Sequence, residues 1–496
     1  MDCLKETPRA RTGVPGLDDI LLGGLATRRV FLLEGSPGTG KTTMALRFLI
    51  EGALQGERGL YITLSETEQE LRGAALAHGW KLDDKIRVFE VVPPESLLDA
   101  DQQQSLLYSS DLELGETTKL IFQAVEASGA QRIVLDSLSE IRLLAQSSLR
   151  YRRQILALKH YFARHGATVL MLDDLTTDTF DKTVHSVAHG VIRLEELTPD
   201  YGAERRRLRV VKYRAQSFRG GYHDFIIRAG GAQVFPRLVA AEHQRDFLRG
   251  RITSGIRAFD GLLGGGIEQG SSTLVLGPAG SGKTTLVWQF VAEAVRRGDK
   301  AAMFVFDEEL GLMFDRAKPL GFDFAAMQTG GRLQITQLDA AELSPGEFAH
   351  MVRSGAADPA VKTVVIDSLN GYQASMPQEN SLILHMHELV QYLNRTGVST
   401  FLTVAQHGLV GEMKSPVDIT YLADAVILLR YFEAGGAVRR ALSVIKKRGG
   451  SHEDTIREFW IDGGLHIGEP LTQFHGVLRG TPVLDDRAQL RSEKGE

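Results

Sequence analysis

The sequence is nearly empty of cysteine: Cys3 is the only one in 496 residues. An intrachain disulfide is therefore excluded, as is a zinc site built from several cysteines of one chain. Such usage suits a reducing compartment. No apolar run approaches the roughly 20 residues that a membrane-spanning helix requires, and the opening stretch MDCLKETPRA lacks the apolar core of a secretory signal. A cytoplasmic location is the expectation. Positive charge is also scarce. Lys and Arg number 57 against 62 Asp and Glu, a net charge of −5. That balance argues against binding to nucleic acid or to an anionic membrane driven by bulk charge. No aromatic ladder accompanies the basic run Glu204-Arg205-Arg206-Arg207, which reads as a charged hairpin tip. The 14 histidines show no metal-ligand spacing. His385 and His387 stand too close in a helical segment to share one face.

What is present is ordered and duplicated. Apolar residues make up 43% and charged residues 24%, the proportions of a globular protein, and the length exceeds what one core serves. Gly35-Ser36-Pro37-Gly38-Thr39-Gly40-Lys41-Thr42-Thr43 fits the phosphate-binding P-loop. In that motif glycines let backbone N–H groups wrap phosphates, the lysine adds a charge, and the next hydroxyl meets Mg²⁺. The apolar run Val30–Glu34 before it predicts a strand, and Met44–Leu54 after it a helix. The motif recurs as Gly277-Pro278-Ala279-Gly280-Ser281-Gly282-Lys283-Thr284-Thr285, with the two lysines 242 positions apart (283 − 41). Thr12-Gly13…Asp18 and Ser254-Gly255…Asp260 precede the two loops at matching distances. So long a period means two whole domains. We place them at residues 1–245 and 246–484, with a polar tail over 485–496.

Alternating apolar strands and helices predict a mostly parallel, doubly wound α/β sheet in each domain. The strands Arg132–Leu135 and Thr363–Ile366 end in Asp136 and Asp367, where a carboxylate faces the ligand crevice of such a sheet. Both are candidate Mg²⁺ ligands beside Thr42 and Thr284, with Asp307 a further one. Glu66 and its counterpart Glu308 follow each domain's second strand and suit a general base. Asp307 aligns with Ser65, so the second site has two adjacent acids where the first has one. Ser65–Glu68 also reads as a helix cap. Lys212-Tyr213-Arg214 and Lys446-Lys447-Arg448 end corresponding late strands. Such cations suit a phosphate in the same chain or in a neighbour, or a solvated turn.

Taken together, these residues resemble the KaiC family of tandem RecA-like ATPases, from about Thr12 to Pro482. Glu66-Thr67 with Glu70-Leu71-Arg72, Lys212-x-Arg214, Lys446-x-Arg448-Gly449 and Ile456-Arg457-Glu458-Phe459 stand in the family's order. The resemblance implies a circadian-clock-type homohexamer with ATP and Mg²⁺ at subunit interfaces. It implies hydrolysis in the first domain and Ser/Thr autokinase and autophosphatase chemistry in the second. Glu66 corresponds to the first catalytic acid, with Ser65 replacing an acidic neighbour. Asp307-Glu308 stand where the family has Glu-Glu, and Arg440, Lys446, Lys447 and Arg448 at its trans nucleotide contacts. Thr420-Tyr421 occupy the place of its Ser-Thr phosphoacceptor pair, and Ser415 that of a third hydroxyl. Thr420 is the expected principal acceptor, because Tyr421 carries its hydroxyl further out on a rigid ring. A KaiB-type partner on the first domain fits the resemblance; the short tail makes a KaiA-type partner doubtful. Two other readings are a RecA- or DnaB-like DNA motor and an ATP-gated scaffold without kinase activity.

Overall fold

The computed structural model describes residues 8–91, 106–175, 183–199, 202–306, 308–374, 379–406, 420–479 and 482–484. Asp307, Ser415 and the tail over 485–496 lie outside them. The chain divides into two compact units between Arg237 and Leu238, earlier than the boundary at 245. The reason is packing: Leu238 and Ala240 are buried in the second unit's core, and Ala240 N–H donates to Glu388 at 2.8 Å. No helix among the described residues is long and apolar enough to cross a membrane.

Each unit is built on a nine-stranded sheet. In the first, the P-loop strand Val30–Gly35 lies between Gly190–Leu197 and Thr168–Asp174, both parallel to it. Beyond Thr168–Asp174 come Arg132–Asp136, Gly59–Thr63 and Ile86–Glu90, all parallel. On the other side, Arg205–Tyr213, His223–Arg228 and Gly231–Phe235 follow as antiparallel hairpins. The second unit repeats this order around Ser272–Gly277. These are two tandem RecA-like α/β domains.

The continuous apolar strands have a simple cause. Helices cover both faces of each sheet, so both sets of alternating side chains are buried. In the first unit Phe31, Leu33, Tyr61 and Val134 enter one core, while Val30, Leu32, Leu60 and Ile133 enter the other. The second unit does the same with Val275, Met303 and Val365 against Leu274, Ala302 and Val364. The lead-in motifs also act alike. Asp18 Oδ1 accepts from Thr12 N–H at 2.9 Å and Thr12 Oγ1 at 2.8 Å; Asp260 Oδ1 accepts from Ser254 N–H at 2.7 Å and Ser254 Oγ at 2.8 Å. Each carboxylate closes the turn that delivers the chain to its P-loop strand.

Trp288, on the helix Lys283–Arg297, is fully buried, with Phe322 and Phe324 edge-on to it and the Arg316 guanidinium over its ring at 4.8 Å. Replacing Trp288 with Ala should destabilise the second unit by about 3–5 kcal/mol. Denaturant unfolding followed by far-UV circular dichroism checks this; an unshifted second-unit transition contradicts the packing described.

Candidate active site

The two loops close over their own lysines. Gly40 and Gly282 cap the following helices with φ of 95° and 100°. A Cβ at Gly40 would lie 2.4 Å from Ile227, and one at Gly282 3.0 Å from Ile461. Only glycine therefore serves both the left-handed conformation and the space. The Lys41 ammonium is buried and reaches Gly35 O at 2.8 Å, Ser36 O at 2.9 Å and Asp174 Oδ1 at 2.7 Å. Lys283 is buried as well and donates to Pro278 O at 2.8 Å. Burial pushes its pKa down, and the charge of Asp367 opposes that.

Acids face these cations from the neighbouring strand ends. Asp136 is buried and accepts a 2.5 Å hydrogen bond from Tyr61 Oη. Burial pushes its pKa up and the charge of Asp174 adds to that; the Tyr61 hydroxyl and Lys41 pull it down. Glu66 is half-buried, and its pKa is raised by burial first and then by Asp136, Glu70 and Asp174. The cap expected over Ser65–Glu68 resolves onto Thr67, which forms a reciprocal capping box with Glu70 and leaves Glu66 outside the helix. In the second unit burial raises Glu308, and Asp367 adds to that while Arg316, 2.7 Å away, opposes it. Its neighbour Glu309 instead caps the helix Leu310–Ala317, accepting from Gly311 and Leu312 N–H. Asp367 accepts a hydrogen bond from Thr403 Oγ1.

Three site residues escaped the sequence reading. Tyr61 and Thr403 sit inside apolar strands and look like core; only the sheet register shows that they hold Asp136 and Asp367. Asp174 ends the strand beside the P-loop strand, opposite Gly35. The doubled acid Asp173-Asp174 after an apolar run was its available signal.

The late-strand cations lie elsewhere. Lys212 pairs with Val191, which pairs with Leu32 of the P-loop strand, and Arg214 follows beyond Tyr213. They stand roughly 10–15 Å along the strand direction from Gly35, and two strands aside. Lys212 Nζ donates to His185 O and Ala188 O, and Arg214 to Ser186 O. Lys446 repeats this on Thr420 O and Ala423 O, and Arg448 on Tyr421 O. Thr420 and Tyr421 thus share the cations' edge, with Tyr421 51% exposed. With Arg29 and Lys159, the first group of cations and burial push His189 down to about 4.

Two members of the expected binding set face inward. Tyr213 is buried, its hydroxyl donating to Gly24 O at 3.0 Å and accepting from Ala26 N–H at 2.8 Å. Lys447 is buried at the equivalent place, donating to Leu263 O at 2.7 Å and meeting Glu268 at 2.9 Å. Both pin the lead-in segment, since strand alternation turns them away from their neighbours' side. Arg440 also parts from Lys446 and Arg448. It pairs with Tyr431, whose hydroxyl reaches Ala279 O at 3.4 Å, so it lies at its own P-loop.

The sequence profile of the family described as "ATPase: KaiC" matches residues 10–239 and again 252–471. Over 497 residues the chain is 29% identical to "Circadian clock protein KaiC3" of Synechocystis sp., covering 98% of this chain and 97% of that one. Over 507 residues it is 28% identical to "Circadian clock oscillator protein KaiC" of Thermostichus vulcanus, covering 99% and 95%. The protein of that name from Synechococcus elongatus is 28% identical over 498 residues, covering 97% and 94%.

Tyr61→Phe should expose the role of the Tyr61 hydroxyl. That donor stabilises ionised Asp136, so its contribution is largest above the raised Asp136 pKa and shrinks as pH falls through it. At neutral pH the loss should be about 1.5–3 kcal/mol. Urea unfolding of both proteins across pH measures it; a difference independent of pH rejects the assignment.

Proposed function

The chain belongs to the KaiC ATPase family, and from that premise we propose a homohexameric, clock-related ATPase with serine/threonine autokinase capacity in its second domain. One observation carries the reading. Each unit holds its P-loop and acids at one edge and its cation pair, Lys212 and Arg214 or Lys446 and Arg448, at another. A second copy brings the two edges together, and a head-to-tail contact of this kind closes into a ring.

ATP is the substrate, and the loops suit its phosphates: the backbone at Gly38 and Gly280 is left-handed, and a Cβ at Gly38 would meet nothing within 4 Å. Thr42 with Asp136, and Thr284 with Asp367, are the donor sets that would hold Mg²⁺; the ion supplies charge neutralisation at the phosphates. Lys41 and Lys283 orient the phosphates. Glu66, its pKa raised toward neutrality, takes the proton of the attacking water in the first domain. Glu308 takes the corresponding proton from the Thr420 hydroxyl of an adjacent copy. Lys212 and Arg214, or Lys446 and Arg448, meet the same phosphates from that copy. Asp307 and Ser415 are proposed as an accessory acid and a minor acceptor, and Tyr421 as a poorer acceptor than Thr420. A KaiB-type protein is the proposed partner of the first domain. The net charge of −5 gives no support to a DNA motor.

Glu66→Gln should lower first-domain phosphate release by about 10²-fold or more while nucleotide binding persists, and mass spectrometry after incubation with ATP should find phosphate on Thr420. Mixing tests the shared site directly. Lys41→Ala subunits and Arg214→Ala subunits, each inactive in the first domain, should recover turnover together, and light scattering should report hexamers with ATP. Turnover in Glu66→Gln equal to the parent would reject Glu66 as the base, and a parent that turns over no ATP, with Thr420 unmodified, would leave only a nucleotide-gated scaffold.

A further inference from the structure

The two P-loop lysines sit among unlike neighbours. An ammonium has three N–H donors. Those of Lys41 meet Gly35 O, Ser36 O and Asp174 Oδ1. The last is a charge-assisted contact of 2.7 Å between side chains only 8% and 29% exposed, so solvent screens it weakly. Asp174 is held there by the frame around it. Its N–H donates to Ser139 Oγ at 3.2 Å. Ser139 Oγ also meets Asp173, which Arg142 holds at 2.6 Å.

The second unit has the same frame without the charge. Ala405 stands opposite Gly277 as Asp174 stands opposite Gly35. Its backbone is anchored by Asn370, whose Oδ1 accepts from Ala405 N–H at 2.7 Å and whose Nδ2 donates to Ala405 O at 3.0 Å. Ser139 and Asn370 play one role, each on the helix that follows its strand-end aspartate. Beside the P-loop lysine the first unit places a carboxylate where the second places a methyl group.

We propose that Asp174 sets the nucleotide affinity of the first site by competing with phosphate for Lys41. Phosphate oxygens and the Asp174 carboxylate are both anions seeking one buried cation. Binding at the first site must displace that carboxylate or share the lysine with it, whereas among the described residues no carboxylate pairs with Lys283. The first site therefore fills at higher ATP concentration than it would with the neutral side chain its counterpart carries. This inference rests on the reading of both loops as ATP sites.

Equilibrium titration of the full chain with a fluorescent ATP analogue, resolving the two classes of site, tests it. Asp174→Ala should tighten the first class about tenfold or more. Asp174→Asn, which keeps the size and removes the charge, should do the same. Ala405→Asp should weaken the second class by a similar factor. If the parent chain binds and both Asp174 variants leave the first class unchanged or weaker, this proposal alone is overturned. If Asp174→Ala tightens binding and Asp174→Asn does not, charge competition is rejected. If the parent binds no nucleotide, the reading of the loops falls and the proposal with it.

Discussion

A buried ammonium at the carboxyl end of a parallel sheet is the constraint on which each site depends. Lys41 and Lys283 are withdrawn from water, and a buried cation needs oxygens around it. Loop carbonyls supply some of these, which is why the glycine loop folds back on its own lysine. At Lys41 the Asp174 carboxylate on the adjacent strand end supplies another. Burial in that half-dry crevice, with the neighbouring acids adding to it, raises the pKa values of Asp136, Glu66 and Glu308. The arrangement that solves the lysine's solvation also sets the acids as the proton transfer proposed for Glu66 and Glu308 requires.

Duplication preserved the frame and released the chemistry. The Thr12–Asp18 and Ser254–Asp260 closures, the inward anchors Tyr213 and Lys447, and the backbone anchors Ser139 and Asn370 do equivalent work with different residues. The acids diverged more. Tyr61 steadies Asp136 across one strand pair, while Thr403 steadies Asp367 from the other side. Glu34 of the first P-loop strand is buried against His185 and Arg193, where the second strand has Leu276 against Leu428. One fold thus carries two sites whose electrostatics differ.

In the proposed assembly the cation pairs extend this logic beyond one chain. Lys212 and Lys446 spend donors on carbonyls of the segment before the neighbouring strand, and Arg214 and Arg448 do likewise. These contacts order the segment that carries Thr420 and Tyr421 and gather positive charge at an edge away from the unit's own P-loop. Burial first and then these like charges depress His189 to about 4, and a polyphosphate is the kind of counter-ion such an edge accommodates.

The linear order of residues determined the duplication, both P-loops, the strand-end aspartates, Glu66 and Glu308, and the doubly wound class. Each is local: a loop motif, an apolar run, or an acid a fixed step beyond a strand. Tertiary structure decided what depends on register and on which side of a strand a residue faces. Alternation turned Tyr213 and Lys447 inward while their neighbours Lys212, Arg214, Lys446 and Arg448 stayed at the edge. Pairing across strands that are distant in sequence brought Tyr61 to Asp136, Thr403 to Asp367, and Asp174 to Lys41. Packing of Leu238 and Ala240 moved the domain boundary to residue 237. None of these follows from a neighbour in the chain, because each is a contact between segments that only the sheet order brings together.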